Sequence, residues 1–152
     1  MTSVLARLSE LGIELPAVAA PVAAYVPAVR SGNLVYTSGQ LPFVDGALPR
    51  TGKLGADVDT DHGAELARVC ALNALAAIHA LVGLDQVARV VKVVGFVASD
   101  PGFTQQPAVI NGASTVLAEV FGEAGVHARS AVGVAVLPLN APVEVELIVE
   151  LT

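Results

Sequence analysis

The chain contains little cysteine, few aromatic side chains and few charges. Its 152 residues include one Cys, two Tyr, four Phe and no Trp. A single cysteine, Cys70, excludes an internal disulfide and a cysteine cluster for a metal, and its apolar neighbours predict a buried helical thiol rather than a nucleophile. The three histidines, His62, His79 and His127, lack metal-ligand spacing, so we expect structural or surface roles for them. No metal or cofactor is expected.

The shortage of charge also limits the classes of partner. Charged residues make up 14% of the chain and the net charge is −6, whereas an average globular protein is about 25% charged. The basic residues are scattered along the chain: Arg7, Arg30, Arg50, Lys53, Arg68, Arg89, Lys92 and Arg129. A nucleic-acid binder needs a basic stripe to neutralise phosphates, and aromatic rings on which bases stack. Nucleic acid is therefore not an expected partner.

Hydrophobic residues make up 54% of the chain, which leaves too little polar material to cover a lone monomer. We therefore expect part of the apolar surface to be buried between subunits. The length of 152 residues suits one domain. Arg7, Glu10 and Glu14 interrupt any signal-peptide core, and no apolar stretch reaches the roughly 20 residues needed to span a bilayer. The prediction is a cytoplasmic protein without a membrane partner.

Hydrophobic spacing predicts an α+β fold. A short helix opens the chain within an N-terminal extension, residues 1–15, and ends at Gly12. The other expected elements are a strand over Leu34–Thr37, a loop from Phe43 to Asp59, a helix from the caps at residues 59–61 to Val82, a strand over Val87–Val97, a helix over Thr104–Gly122, and strands over Ser130–Leu137 and Val143–Leu151. Two main helices on one face of a mixed sheet follow from this order. A partner subunit is the simplest cover for the other face.

The segment His127-Ala128-Arg129-Ser130 places a guanidinium at the start of a strand. Its planar fork suits a small carboxylate, although a surface ion pair is an alternative interpretation. Glu144, Glu146 and Glu150 alternate along the last strand, which predicts a solvated face. If the last two strands form a simple hairpin, Arg129 and Glu144 lie about 20 Å apart within one chain. The two would then have to meet across a subunit boundary, or the register would have to differ.

Three motifs carry a resemblance to a known family. The runs Asn33 to Pro42, His127 to Ser130, and Leu137-Pro138 to Glu146 resemble the Rid family, also called YjgF or L-PSP endoribonuclease-like. The Leu11 to Pro16 segment and the Gln106-Pro107 to Ser114 stretch are similar to its longer, chorismate-mutase-like branch. The resemblance covers nearly the whole chain.

Membership in this family implies a homotrimer with sheets packed inward and ligand clefts between adjacent subunits. The activity it implies is hydrolysis of reactive 2-imino or 2-enamino acids to 2-oxo acids and ammonia. In that interpretation Arg129 grips the substrate carboxylate and Glu144 positions the attacking water. The remaining cleft residues carried over by motif are Tyr25, Ser38, Gly39 and Asn111.

Several positions depart from the family pattern. Ala23 to Pro27 keeps the aromatic residue Tyr25 but lacks the adjacent hydroxyl and amide. Ala131, a further expected substrate-binding position, stands where many deaminases have a thiol, and Gly133 replaces a frequent acidic residue. These changes indicate an altered pocket.

Each cleft residue also has a structural interpretation. Ser38-Gly39 is either a strand end or a place where a ligand anion approaches backbone N–H groups. Asn111 is a cleft-facing amide or a cap for a neighbouring loop, and Tyr25 lines the cleft or packs half-buried. An imine deaminase is thus one hypothesis, and a noncatalytic trimer that binds a small carboxylate is the alternative. The endoribonuclease label fits less well, because the sequence offers neither a basic groove nor a His or Lys pair for phosphodiester chemistry.

Overall fold

The computed structural model describes residues 3–18 and 24–152. Its first element, α1, is a helix over Val4–Glu10. The hydroxyl of Ser3 caps this helix by accepting a hydrogen bond of 3.0 Å from the backbone N–H of Ala6. Gly12 follows the helix with a left-handed φ of 68°, a conformation that glycine adopts without a steric cost. The predicted N-terminal helix is therefore present, and it ends where glycine was expected to end it.

Five strands form one mixed sheet in the order β1-β2-β5-β3-β4. The strands are β1 (Ala28–Ser31), β2 (Leu34–Thr37), β3 (Val87–Ala98), β4 (Ala128–Val134) and β5 (Val143–Leu151). Neighbours in this order pair antiparallel, except that β3 and β4 run parallel. The predicted α+β class with a mixed sheet is confirmed.

Two long helices, α2 (Thr60–Val82) and α3 (Gln106–Phe121), cover one face of the sheet. Asp59 caps α2 by accepting a 2.8 Å hydrogen bond from the backbone N–H of His62, and Gly83 ends that helix. The core between helices and sheet is made of buried valine, leucine, isoleucine and alanine, together with the buried thiol of Cys70. By length and composition α2 could cross a membrane, with a mean hydropathy of 1.5, but here it is the central core helix.

The last two strands do not form the hairpin that their sequence suggested. β3, twelve residues long, lies between β4 and β5 and pairs with both. Its valines at positions 90, 93 and 97 are buried on the helix side. The connection from β4 to β5 passes the end of β3 and turns at Leu139 and Asn140, which both have φ of 59°. β4 also ends at Val134, three residues before the predicted end.

Strand β1 was not expected from the sequence. It forms a hairpin with β2 around Gly32, whose φ is 59°. Only Ala28 of its four residues is buried, so the strand lacks the alternation of apolar and polar residues that identifies a half-buried strand.

The sheet face opposite the helices is only partly covered within one chain. Val94, Phe96 and Ile148 are half-buried there, and Tyr36 and Val132 are 43% and 44% exposed. The same face also carries Glu144 and Glu146, which pair with Phe96 and Val94. It is the face for which the sequence predicts a partner subunit.

Gly112 sets the distance between the two long helices. A Cβ atom at this position would overlap the backbone carbonyl oxygen of Ala64 on α2. Backbone atoms cannot rotate away as a side-chain tip can, so only glycine fits at this crossing.

We predict that Gly112→Ala lowers the free energy of unfolding by about 1–3 kcal/mol, because it overpacks the crossing of α2 and α3. Helix propensity alone would give the opposite sign, a gain of about 1 kcal/mol. Chemical denaturation of the variant and the parent measures the difference.

The matched control is Gly102→Ala. Gly102 lies in an exposed turn where the nearest atom to an added Cβ is 3.9 Å away. Its stability should stay within about 1 kcal/mol of the parent. If Gly112→Ala proves as stable as Gly102→Ala, the close approach of the two helices is wrong.

Candidate functional site

The guanidinium of Arg129 lies between the edge strand β4 and helix α3. Arg129 is paired in register with Val93, so its side chain points to the helix-covered face of the sheet. Its Nη1 donates to Asn111 Oδ1 at 2.8 Å and to Ser114 Oγ at 3.2 Å. Asn111 and Ser114 are three residues apart on α3 and therefore share one helix face. Two side chains of one helix thus hold the arginine of the neighbouring strand.

A histidine extends this cluster. The Nε2 atom of His127 lies 2.8 Å from Ser114 Oγ, and its Nδ1 lies 2.6 Å from the backbone carbonyl oxygen of Gly125. A carbonyl oxygen can only accept, so Nδ1 carries a proton, and in the neutral ring Nε2 is an acceptor. The Ser114 hydroxyl then donates to Nε2, while its oxygen accepts from Arg129. We call Asn111, Ser114, His127 and Arg129 the arginine cluster.

Two further predicted residues meet where the chain leaves β2 and passes the start of β5. The carboxylate of Glu144 lies directly against Gly39, where an added Cβ would be 2.8 Å from Glu144 Cδ and 3.1 Å from each carboxylate oxygen. The absence of a side chain at Gly39 therefore makes room for the acidic group. We call Gly39 and Glu144 the glutamate pair.

The environment of Glu144 favours its neutral form. Partial burial raises the pKa of its carboxyl group, and the nearby charge of Glu146 raises it further. Both causes act in the same direction, because desolvation and a like charge each penalise the carboxylate. A carboxyl group with a raised pKa is better suited than an ordinary one to exchange protons near neutral pH.

Ser38 directly precedes Gly39 in the chain and contacts the segment that carries Tyr25. The Ser38 hydroxyl donates a 2.6 Å hydrogen bond to the carbonyl oxygen of Val26, so it fixes the segment that carries Tyr25. Tyr25 itself is 47% exposed. Ser38 therefore makes a strand-end contact, whereas Tyr25 is more exposed in this chain than the half-buried packing expected of it. A ligand contact of either residue stays a prediction.

Ala131 and Gly133 follow Arg129 on the same face of β4. Ala131 is partly buried against the core. At Gly133 an added Cβ would lie 2.8 Å from Gln106 Nε2, and this amide donates to Phe103 O at 2.8 Å and to Ser99 Oγ at 3.2 Å. The side chain of Gln106 thus occupies the space that a larger residue at position 133 would need.

The arginine cluster and the glutamate pair lie on opposite faces of the sheet. Glu144 pairs with Phe96, and Phe96 pairs with Val132, whereas Arg129 is three residues before Val132 on β4. Two strand spacings and three residues give roughly 14 Å between the Cα atoms of Arg129 and Glu144. The hairpin estimate of about 20 Å was wrong because Glu144 is level with Val132 across β3, three residues from Arg129, and not with Ala135. Within one chain, neither register brings the two side chains together.

A cavity of about 700 Å³ lies elsewhere, between the N-terminal segment, the turn at residues 43–46 and the outer side of α2. It contains none of the predicted site residues. The cavity and the family motifs therefore indicate different parts of the molecule.

Sequence analysis missed two members of the arginine cluster, Ser114 and His127. Both had a usable signal. Ser114 stands three residues after Asn111, which is the spacing of one helix face, and His127 stands two residues before Arg129, which is the spacing of one strand face. Assigning all three histidines to structural or surface roles hid this pairing.

The chain matches one protein-family model over residues 5–151, with the description "YjgF/chorismate mutase-like, putative endoribonuclease". This chain belongs to the YjgF family. The resemblance read from its motifs is confirmed. The five-stranded mixed sheet with helices α2 and α3 is the fold of that family.

Three relatives illustrate the match. Protein TCP17 of Trypanosoma cruzi is 51% identical over 97% of this chain and 94% of its own length. A crystal structure of a "putative endoribonuclease" from Shewanella oneidensis is 36% identical, covers 99% of this chain and 100% of the other, and superposes with a TM-score of 0.95. The Escherichia coli protein TdcF with bound serine is 28% identical, with coverage of 91% and 94% and a TM-score of 0.63.

We predict that Glu144→Gln stabilises this YjgF-family protein at pH 7. The raised pKa means that the folded state binds the Glu144 proton more tightly than the unfolded state, so the parent loses stability as pH rises above the ordinary carboxyl value of 4.5. Glutamine removes this cost. The gain should shrink at pH 4, where the carboxyl group is protonated in the folded state, and denaturation at both pH values measures it.

Glu150→Gln is the matched control, because Glu150 lies exposed near the end of the same strand. Its effect should remain within about 0.5 kcal/mol. Two results would contradict the assigned environment of Glu144. One is a Glu144→Gln variant that is less stable than the parent at pH 7, and the other is the same change in the free energy of unfolding at pH 4 and pH 7.

Proposed function

We propose that this protein hydrolyses reactive 2-imino acids, and their 2-enamino tautomers, to 2-oxo acids and ammonia. The observation that carries the proposal is the guanidinium of Arg129, held at the sheet edge by Asn111 and Ser114. A fixed guanidinium is the group best shaped to bind a small carboxylate. The relative TdcF, whose structure contains bound serine, supports an amino-acid-like ligand.

The hydrogen bonds of Arg129 leave a defined edge for the ligand. Both hydrogen atoms of Nη1 are directed to protein acceptors, Asn111 Oδ1 and Ser114 Oγ. Among the described residues, no acceptor contacts Nε or Nη2 of this arginine. Nε–H and one Nη2–H are parallel, so this edge can bind both oxygens of a carboxylate at once.

The reaction needs little more than orientation and water. The oxygen of water adds to the imine carbon, and a proton passes to the imine nitrogen to give a carbinolamine. The hydroxyl proton is then transferred to the amine nitrogen, the carbon–nitrogen bond breaks, and ammonia leaves as the carbonyl forms. An imine carbon is already electrophilic, so placing the water beside it supplies much of the rate.

Glu144 is the group that we assign to this water. Its raised pKa suits a carboxyl group that takes a proton from water and returns it to nitrogen. Because Glu144 and Arg129 face opposite sides of their own sheet, we propose that the arginine cluster of one subunit meets the glutamate pair of the next in a homotrimer. The exposed apolar side chains of Tyr36 and Val132 on the sheet face that carries Glu144 support such an assembly.

Ser38, Gly39, Tyr25 and Ala131 have secondary parts in this proposal. Gly39 makes room for the Glu144 carboxylate, and Ser38 fixes the Tyr25 segment through Val26. Ala131 replaces the thiol of many deaminases, so no nucleophilic residue is assigned at that position. A noncatalytic trimer that binds a small carboxylate is the second candidate, and this replacement is what favours it.

Endoribonuclease action, although named in the family description, is a weaker candidate. The chain carries a net charge of −6, and the arginine cluster contains a single permanent positive charge. RNA backbone binding needs several lysine or arginine contacts to phosphates. A small carboxylate needs only one guanidinium.

We predict that Arg129→Ala lowers kcat/KM for ammonia release from 2-iminobutanoate by about 100-fold or more, because it removes two charge-assisted hydrogen bonds of about 1.5–3 kcal/mol each. Arg129→Lys keeps the charge but not the fork and should be intermediate. The imine is generated in the assay, and spontaneous hydrolysis is subtracted.

Arg89→Ala is the control variant, since Arg89 is exposed on β3 and its loss changes the net charge equally. It should retain the parent rate. Equal rates for Arg129→Ala and Arg89→Ala would discard the role of Arg129. Saturable binding of 2-oxobutanoate without ammonia release by the parent would favour the noncatalytic alternative.

A further inference from the structure

His127 has no role in the reaction proposed above, yet both of its ring nitrogens are engaged. Nδ1 is tied to the carbonyl oxygen of Gly125 at 2.6 Å, and Nε2 lies 2.8 Å from Ser114 Oγ. The ring is half-buried. A ring held at both nitrogens is fixed in orientation and in tautomer.

The direction of these hydrogen bonds determines what Ser114 offers to Arg129. Because Nδ1 donates to Gly125, the neutral ring presents a bare Nε2 that accepts the Ser114 proton. The lone pairs of Ser114 Oγ are then available to Arg129 Nη1, which lies 3.2 Å away. Without an acceptor at position 127, the Ser114 hydroxyl could rotate. Its oxygen would then no longer be fixed in the orientation that accepts the hydrogen bond from Arg129.

Asn111 alone would leave Arg129 less constrained. Its amide side chain is exposed and holds one hydrogen of Nη1 at 2.8 Å, which permits the guanidinium to pivot about that contact. The second bond, to Ser114, fixes the plane of the group. The position of a planar fork matters more than that of a point charge, because both of its donors must meet the carboxylate together.

We propose that His127 and Ser114 are positioning residues that fix the guanidinium plane of Arg129, so that its Nε and Nη2 edge is presented to a substrate carboxylate. Residues 125–129 thus contain both the arginine and the histidine that helps to orient it through Ser114. The two-residue spacing of extended backbone places His127, just before β4, on the same side as Arg129 in β4, and Ser114 on α3 joins them. The kinetic part of this inference rests on the proposed deaminase function.

The first test uses the protein without ligand. Slow rotation of the Arg129 Nη groups should give resolved ¹H–¹⁵N guanidinium signals in the parent, because both Nη1 hydrogens are bonded. His127→Asn keeps a donor for Gly125 but lacks the Nε2 acceptor, and Ser114→Ala lacks the hydroxyl. In His127→Asn and in Ser114→Ala, faster rotation of the guanidinium should average these signals. Ser114→Thr retains the hydroxyl and should give resolved signals like those of the parent. Unchanged Arg129 signals in His127→Asn and Ser114→Ala would overturn the inference.

The second test measures turnover of 2-iminobutanoate. His127→Asn should raise KM about three- to tenfold with little change in kcat, as expected for the loss of one hydrogen bond that serves ground-state binding. In an Arg129→Lys background the same substitution should have no further effect, because the ammonium lacks the Nη1 that Ser114 holds. Equal effects in both backgrounds would indicate a merely structural histidine and contradict the inference.

His62→Asn is the matched control, since His62 is exposed at the start of α2, and it should leave both measurements unchanged. The two tests separate the two claims. A parent that releases no ammonia defeats the proposed deaminase, while the guanidinium signals still decide the positioning. A parent that releases ammonia, with Arg129 signals indifferent to His127 and Ser114, defeats only the positioning.

Discussion

The parallel pairing of β4 with β3 is the constraint on which the site depends. It places Arg129 opposite Val93 and so turns its side chain toward α3 rather than toward solvent. α3 in turn is held close to α2 because Gly112 has no side chain at their crossing. A change in strand register by one residue would move Arg129 to the other face of the sheet and away from Asn111 and Ser114. The orientation of one guanidinium therefore depends on the packing of the whole helical layer.

Local patterns predicted the elements of this fold well and their pairing poorly. Caps at Asp59 and Gly83 and the apolar spacing between them identify α2, because helix signals lie within the segment itself. The partner of a strand is different, since apolar alternation in β4 and β5 is equally compatible with a hairpin and with an intervening strand. Strand β1 carried no such alternation. The order of β4, β3 and β5 and the pairing of β1 with β2 both depend on which other segments pair at a given strand edge. Local patterns within one segment do not contain that information.

The candidate site divides in the same way. Family motifs named Arg129, Asn111, Gly39 and Glu144, and the structure brings them together as two pairs, one on each face of the sheet. Residue identity alone could not separate these pairs, because the face of a strand residue follows from its register. Ser114 and His127 were overlooked although their spacing relates them to Asn111 and Arg129. Asn111 and Ser114 share one face of α3, and His127 and Arg129 share one side of the extended segment at β4. Considering these two pairs together would have identified the four residues of the arginine cluster.

The central claim is that the free edge of the Arg129 guanidinium binds a small carboxylate. A crystal structure of the protein soaked with 2-oxobutanoate tests this most directly. The account predicts both carboxylate oxygens of the ligand within hydrogen-bond distance of Arg129 Nε and Nη2, with Glu144 of an adjacent subunit facing the 2-oxo carbon. A ligand bound in another part of the molecule, with the edge of Arg129 empty or directed into bulk water, would contradict it.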